Sequence, residues 1–331
     1  MDESPEHKER QRLMDDILKH LDDDAPREAY ADYLEKNGQE KKGQKARAAF
    51  IRSQCLTHKL KTYQHGNGPL TSHEIELYTS LAQNENPLFE KFGAAWRAEE
   101  DPPAEVMTQV EYERGFAYFG AIDWATVDRK KLAEVMETHP IQGLVVHGLT
   151  ESNCAEFLAQ DWVPQLRHLI LEGNETLGDR GVTMLTASPK LSRLTHLNLN
   201  ECGVTYEGAR ELAQSRNLQS IIVLRLQRNN ITAQGAYDIA QSKSFPNLWK
   251  LTVREASKDR AFYAALDRKK MGNLTESSDG GQKWCKPPER KEETTKPKAT
   301  PDDVIRWSQG RLRRVLLQPT DASLVQQTLA A

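Results

Sequence analysis

The chain has 331 residues, of which 38% are hydrophobic and 28% charged, and its formal net charge is −3. This length suits two domains, or one domain with an elongated array, and the apolar content is ample for a core. No apolar run is long enough for a membrane-spanning helix, and the balanced charge points to neither nucleic acid nor membrane. An acidic start and four scattered cysteines, which match no disulfide framework, predict a cytoplasmic protein.

Residues 4–60 have the apolar spacing of three helices. In the first helix, Leu13 and Ile17 recur on one face. Pro26 suits the first turn of the second helix, where a missing N–H costs nothing. The third helix is predicted over roughly residues 43–60.

Two strings in this head carry a resemblance. The stretch Asp23–Glu35 (DDAPREAYADYLE) and the stretch Ala49–Cys55 (AFIRSQC) resemble the bacterial repeat-companion domain, a short module that precedes the repeats of repeat proteins. That family usually has tryptophan where this chain has Tyr33, and Lys41–Lys45 looks like an insertion. The resemblance implies a bacterial repeat protein with an N-terminal helical cap, and it implies no particular activity.

Three polar residues of this motif, Arg27, Asp32 and Arg52, have two interpretations. One is a catalytic cluster. The other, which we favour, is a buried ion pair with a helix cap that fixes the packing of the three helices. The neighbouring run Asp22–Asp24 lacks the alternating carboxylates of a calcium loop and is predicted to be a solvated loop.

Residues 61–115 connect the head to the rest of the chain. Gly66-Asn67-Gly68-Pro69 predicts a turn, and Thr71 is a candidate cap for the helix that follows. Asp101-Pro102-Pro103 predicts the end of a second helical segment. An alternating strand pattern then leads to a turn at Gly115.

The stretch from Ile141 to Val253 repeats one aliphatic pattern. Its last apolar position advances in steps of 25, 28, 27 and 27 residues, and a fixed period in this range indicates a solenoid. The five copies are Ile141-x-x-Leu144-x-Val146, Leu166-x-x-Leu169-x-Leu171, Leu194-x-x-Leu197-x-Leu199, Ile221-x-x-Leu224-x-Leu226 and Leu248-x-x-Leu251-x-Val253.

Three copies carry Asn174, Cys202 or Asn229 three residues after the strand, followed by a helical pattern. The stretch resembles the leucine-rich repeat in its strand-plus-helix form. This resemblance implies an α/β fold, a leucine-rich-repeat solenoid in which parallel strands stack side by side and are backed by helices. Phe116-x-x-Phe119-x-Ala121 stands 25 residues before the first copy and is predicted to be a degenerate first repeat.

Between the apolar positions, the strands present side chains on a predicted concave face. The alignment gives three ladders: Gly143, His168, His196, Val223, Lys250; Val145, Ile170, Asn198, Arg225, Thr252; and His147, Glu172, Asn200, Gln227, Arg254. Mixed polar surfaces of this kind suit protein recognition. The candidate partner-binding residues are His168, Ile170, Glu172, His196, Asn198, Asn200, Arg225, Gln227, Lys250 and Arg254.

Signatures of catalysis and of cofactor binding are absent from the sequence. There is no phosphate loop of the Gly-x-x-x-x-Gly-Lys type and no Gly-x-Ser-x-Gly elbow. His147 lies in a different ladder from His168 and His196, which makes a poor zinc site. Cys202 is interpreted as a buried turn residue rather than a nucleophile. We therefore predict no catalytic residue, no metal and no cofactor.

The C-terminal part changes in composition. Lys258–Lys270 is predicted to form an amphipathic helix that closes the array, and residues 273–300 a disordered linker. Residues 301–331 contain a basic amphipathic helix with Trp307, Arg311 and Arg314. This helix has three possible destinations: its own array, a groove of a partner, or an anionic membrane surface. We favour a partner over a membrane.

Together these patterns predict a non-catalytic scaffold or adaptor that binds a protein partner, as a regulatory or targeting subunit of a larger bacterial system. No small-molecule substrate is expected. The alternatives are an enzyme with its site in the head, at Arg27, Asp32 and Arg52, and nucleic-acid binding through the basic tail. The predicted domains are residues 1–60 (helical head), 61–115 (bridge and entry strand), 116–272 (repeats with capping helix), 273–300 (linker) and 301–331 (helix and tail).

Overall fold

The computed structural model describes residues 5–39, 43–67, 72–248, 250–254, 274–276 and 281–285. Four helices come first, as α1 (Pro5–Lys19), α2 (Ala25–Asn37), α3 (Gln44–Asn67) and α4 (Ser72–Glu100). A buried apolar cluster joins α1, α2 and α3 through residues such as Ile17, Leu34 and Ile51. The three helices predicted for the head are thus confirmed.

Two helices are longer than predicted. Helix α3 continues to Asn67, past the boundary predicted at residue 60, and α4 is one helix of 29 residues with Pro87 inside it. Two separate segments were predicted for this region. The apolar face persists beyond the proline, because Leu88 and Trp96 of α4 are buried against Phe50 of α3. This packing accounts for one continuous helix despite the proline.

A hairpin links the helices to the repeats. Strands β1 (Thr108–Glu113) and β2 (Phe116–Asp123) run antiparallel, with Glu113 opposite Phe116. The two residues between the strands, Arg114 and Gly115, both have positive φ angles of 52° and 86°. Such a pair matches the twist of two-residue hairpins. A Cβ at Gly115 would lie 2.2 Å from Ile51 Cγ1, so the turn predicted here requires glycine.

Six parallel strands follow one another in the sheet, and five helices accompany them. The sheet order within the described residues is β1-β2-β3-β4-β5-β6-β7-β9-β8, and β2 to β7 are parallel. The further strands are β3 (Gly143–His147), β4 (His168–Ile170), β5 (His196–Asn198), β6 (Val223–Leu226) and β7 (Lys250–Arg254). The helices are α5 (Arg129–Thr138), α6 (Cys154–Ala159), α7 (Gly178–Ala187), α8 (Tyr206–Gln214) and α9 (Ala233–Gln241).

The aliphatic positions of the repeats form the main core. Leu144, Leu169, Leu197, Leu224 and Leu251 stand side by side on successive strands, and each is at most 3% exposed. The predicted strand register is therefore confirmed from the first full copy to the last. No described helix is both long and apolar enough to cross a membrane.

The degenerate first repeat was predicted one residue out of register. Strand β2 places Gly120, not Phe119, beside Leu144, and Phe119 beside Gly143. A slip of one residue exchanges the two faces of a strand. The Phe119 ring therefore lies where a side chain at position 143 would be, 2.0 Å from an ideal Cβ there. Phe116 joins the core of the head, edge-on to Tyr30.

Buried polar side chains support the turns after the strands. Asn174 Oδ1 accepts the Leu149 N–H at 2.9 Å, and its Nδ2 donates to the carbonyls of Val146 and Leu171 at 2.7 Å. Asn229 bonds in the same way to the neighbouring repeat, accepting the Cys202 N–H at 3.0 Å. These bonds confirm the role predicted for this position.

Replacing Asn174 with alanine is expected to lower the free energy of unfolding by roughly 1–3 kcal/mol, because the buried Leu149 N–H loses its side-chain acceptor and two carbonyls each lose a donor. Urea denaturation followed by circular dichroism measures the change. Asn247→Ala is the matched control, since Asn247 is exposed and makes one long bond of 3.4 Å to the Gln219 carbonyl. Equal losses in both variants would contradict a supporting role for Asn174.

Two antiparallel strands extend the described sheet beyond β7. Strand β9 (Gly281–Cys285) pairs with β7, and β8 (Leu274–Glu276) pairs with β9. The prediction of disorder is wrong for these two segments, because an unpaired strand edge offers backbone groups that a polar sequence can still satisfy. The helices predicted at 258–270 and within 301–331 lie outside the described residues.

The loop between α1 and α2 contacts the repeats. The Asp22 carboxylate accepts hydrogen bonds from Arg167 at 2.8 Å, from Gln142 at 3.1 Å and from Arg193. Asp24 is buried and lies 3.4 Å from Arg114 Nη1. The prediction of a solvated loop is therefore wrong for Asp24 and incomplete for Asp22, which is half-exposed.

Candidate functional site

The face of the sheet opposite the aliphatic core, hereafter the open face, carries the predicted ladders. The pairing of the strands places His168, His196, Val223 and Lys250 in one row. Phe119 of strand β2 lies at the N-terminal end of the same row. Ile170, Asn198, Arg225 and Thr252 form the second row. The sequence alignment predicted that these side chains lie on the same face of neighbouring strands, and the structure confirms this.

Aromatic rings line the first half of the open face. The imidazoles of His168 and His196 are stacked, with ring centroids 4.1 Å apart. Tyr118 and Phe119 approach His168 edge-on, at 5.6 and 6.3 Å. Rigid rings of this kind provide contact area at low entropic cost, which is a property of binding surfaces.

Two of the predicted binding residues are used inside the protein. Asn198 and Asn200 are only 5% and 6% exposed. The Asn198 side chain donates to Glu172 Oε2 and accepts the Asn200 N–H, both at 2.9 Å. Asn200 Oδ1 accepts the Gln227 N–H at 2.8 Å. These asparagines stabilise the ends of the strands through hydrogen bonds, and they present little surface to a partner.

The second half of the open face is basic. Arg225 is exposed, and Gln227 and Lys250 are half-buried. Arg254 belongs to strand β7, but its side chain lies outside the described part of the structure, as do Trp307, Arg311 and Arg314 of the tail. Arg225 is therefore the exposed charge that the second row offers to a partner.

A pocket of about 370 Å³ opens beside the aromatic rings. It lies where helices α3 and α4 meet the β1–β2 hairpin and strand β4. The described residues that line it are Gln54, Thr57, His58, Glu85, Glu111, Tyr112, Glu113, Tyr118, Phe119, His168 and Ile170. The sequence predicted only His168 and Ile170 as site residues, because no local pattern reveals that α3 and α4 pack beside this end of the sheet.

The residues proposed as a catalytic cluster in the head do not converge. Arg52 is buried and pairs with Asp32 at 2.6 Å and Glu35 at 2.8 Å, so the predicted ion pair is present, but both carboxylates are exposed and the prediction that the pair is buried is wrong for them. Arg27 is buried elsewhere and donates to the Asp23 carbonyl at 2.7 Å. Burial, together with the charge of Arg114, lowers the pKa of Arg27 to about 10.

The described thiols have the character of core residues. Cys55, Cys154 and Cys202 are buried and free. Burial raises the pKa of Cys202 to about 12 and that of Cys154 to about 11, so both remain protonated at neutral pH. Among the described residues, no group of three or more His, Cys, Asp or Glu side chains is placed to hold a metal ion.

Comparison with protein families matches three consecutive segments to the leucine-rich repeat. The matched residues are 164–185, 191–213 and 217–240, which cover strands β4, β5 and β6 and most of helices α7, α8 and α9. The chain therefore contains leucine-rich repeats, and such repeats commonly mediate protein–protein interaction. A search of curated proteins found no match.

Proposed function

We propose that this protein is a non-catalytic adaptor that binds a protein partner through the open face of its repeats. The observation that carries the proposal is the row of rings from Phe119 to His196, next to the exposed Arg225. In this proposal the repeats form a curved solenoid, the open face is its concave side, and helices α1 to α3 are an N-terminal cap like the repeat-companion domain.

The chemistry of the open face supports a protein partner. Aromatic side chains and arginine supply most of the binding energy at protein interfaces, and a rim of polar groups surrounds them. Here Ile170 offers an apolar anchor, the stacked imidazoles offer flat ring surfaces, and Arg225 offers a charged anchor. A partner with an apolar segment and an adjacent carboxylate complements this row.

The proposal includes the absence of catalysis. Arg52 is engaged in an ion pair and Arg27 in a backbone contact, and the buried thiols are not ionised at neutral pH. We accordingly propose neither a cofactor nor a small-molecule substrate, and a cytoplasmic regulatory or targeting role in a bacterial cell. Nucleic-acid binding by the tail is the alternative, and it would show a steep loss of affinity with salt.

Reversing the charge of Arg225 tests the proposal. We expect Arg225→Glu to weaken binding of the partner at least about tenfold, as loss of an interface arginine commonly does. The partner is first captured with the full-length protein from a lysate of the source organism and identified by mass spectrometry. Its dissociation constant is then measured by isothermal titration calorimetry.

Arg216→Glu is the matched control. Arg216 is equally exposed and undergoes the same change of charge, but it follows helix α8 rather than lying on the open face. The control should keep the affinity of the unmodified protein. Equal affinities for both variants, together with an unaffected Ile170→Ser variant, would exclude the open face as the binding surface.

A further inference from the structure

The pocket beside the open face has a fixed carboxylate on one wall. Glu85 Oε1 accepts hydrogen bonds from Ser53 Oγ at 2.9 Å and Thr57 Oγ1 at 2.8 Å. Both hydroxyl residues are buried, at 6% and 9% exposure. They hold the carboxylate in place through one oxygen, which leaves Oε2 for a ligand.

Two further carboxylates come from strand β1. Glu113 Oε1 lies 2.7 Å from His58 Nδ1, and Glu111 is exposed at the mouth of the pocket. Glu85, Glu111 and Glu113 are three acidic groups around one small volume. A cation that enters this volume is attracted by all three carboxylates.

Tyr118 gives an independent indication of a ligand. Its side chain lines the pocket and is only 5% exposed, yet none of the hydrogen bonds in the described part of the chain involves its hydroxyl. The hydroxyl oxygen is not among the fully buried polar atoms that lack a hydrogen bond, so it is accessible from the pocket. Burial, and next the charge of Glu113, raises the pKa of Tyr118 well above its usual range. The group therefore stays a neutral phenol whose oxygen can accept a hydrogen bond.

We propose that this pocket binds an arginine side chain of the protein partner. This inference rests on the proposed function and assigns a specific contact to it. The planar guanidinium has five N–H donors for the carboxylates and the phenol, and it stacks on aromatic faces such as that of Phe119. The compact ammonium group of lysine fits the ring-lined walls less well, because it offers no plane to stack.

An NMR titration of the full-length protein with N-acetyl-arginine methylamide tests the pocket directly. The arginine probe should shift the Ile170 methyl signal in a saturable way. N-acetyl-citrulline methylamide has the same shape without the charge, and we expect it to bind at least about tenfold more weakly, as loss of a charge-assisted contact implies. The lysine analogue should fall between the two.

Substitutions of residues that line the pocket provide a second test of the proposal. Glu85→Gln retains an acceptor for Ser53 and Thr57 but loses the charge, and Tyr118→Phe removes only the hydroxyl. Each should weaken the arginine probe several-fold. Glu137→Gln, at an exposed position on helix α5, is the matched control and should leave binding unchanged.

The proposal is overturned if citrulline binds as tightly as arginine, if N-acetyl-glutamate methylamide shifts the same signals, or if the Glu85→Gln variant binds the arginine probe unchanged. Its failure is distinct from failure of the proposed function. A partner that needs Arg225 but is indifferent to Glu85→Gln would retain the open face and reject the arginine pocket. An arginine probe that binds the pocket, with a partner indifferent to both Arg225→Glu and Ile170→Ser, would retain the arginine pocket and reject the open face.

Discussion

Replacing Leu224 with alanine is expected to lower the free energy of unfolding by about 2–5 kcal/mol, the range seen when buried leucines are truncated. Leu224 is fully buried on strand β6, between Leu197 on one neighbouring strand and Leu251 on the other. Each repeat of such an array is stabilised by its neighbours, so a cavity at this position weakens two interfaces at once. Urea denaturation followed by circular dichroism measures the loss.

Arg225→Ala is the control within the same strand. Arg225 is exposed, and substitutions at such positions usually change stability by no more than about 0.5 kcal/mol. If the two variants unfolded at the same urea concentration, the assignment of the inward and outward faces of strand β6 would be wrong.

Arg114→Ala is expected to cost about 3–5 kcal/mol, because it removes one partner of a buried charged contact. The guanidinium is 2% exposed. It donates to the Leu21 carbonyl at 2.7 Å and to Gln142 Oε1 at 2.8 Å, and it lies 3.4 Å from Asp24 Oδ1. The substitution leaves the Asp24 carboxylate buried beside fewer donors, and it removes a direct link between the helices and the repeats.

Arg193→Ala separates this effect from a general loss of positive charge. Arg193 also contacts the loop between α1 and α2, through Asp22, but more than half of its side chain is exposed. A surface ion pair of this kind contributes about 0–1 kcal/mol. Thermal unfolding of the two variants compares them directly. A loss for Arg193→Ala as large as that for Arg114→Ala would show that burial is not the reason for the cost.

The repeats could be predicted from the sequence because two local rules act together in them. Aliphatic residues at fixed spacing must face one core, and the period of two within a strand then fixes which side chains face away. His168, His196 and Val223 were placed in one row on this basis, and the structure has them there. Asn174 and Asn229 were recognised because their position in each copy demands a side chain that bonds the backbone.

The same rules were wrong at the first repeat. Phe116 and Phe119 match the spacing of the aliphatic template, but the core beside β2 is formed by Ile122 and by Met107, whose side chain occupies the space where a Cβ at Gly120 would lie. Phe116 instead packs into the helices, next to Tyr30. A spacing rule does not distinguish a residue that faces its own repeat from one that faces a neighbouring domain.

Neither the pocket nor the contacts between the helical head and the repeats could be predicted from the sequence, because both depend on packing between distant parts of the chain. Arg114 contacts Asp24 across 90 positions of sequence, and Gln142 contacts Asp22 across 120. Glu85 lines the pocket only because α4 packs against α3. No local periodicity encodes such contacts. The side chains involved are charged or polar, and a sequence pattern assigns residues of this type to the surface.

The strands at the two edges of the sheet also bear on where an additional repeat would fit. At one end of the described sheet β1 runs against β2, and at the other β9 runs against β7 and β8 against β9, so each described edge strand is antiparallel to its neighbour. An additional parallel repeat is therefore accommodated most directly inside the array, by duplication of an interior segment such as the one from β5 to β6. Such an insertion of 27 residues would move the pocket and the basic end of the open face further apart without altering either.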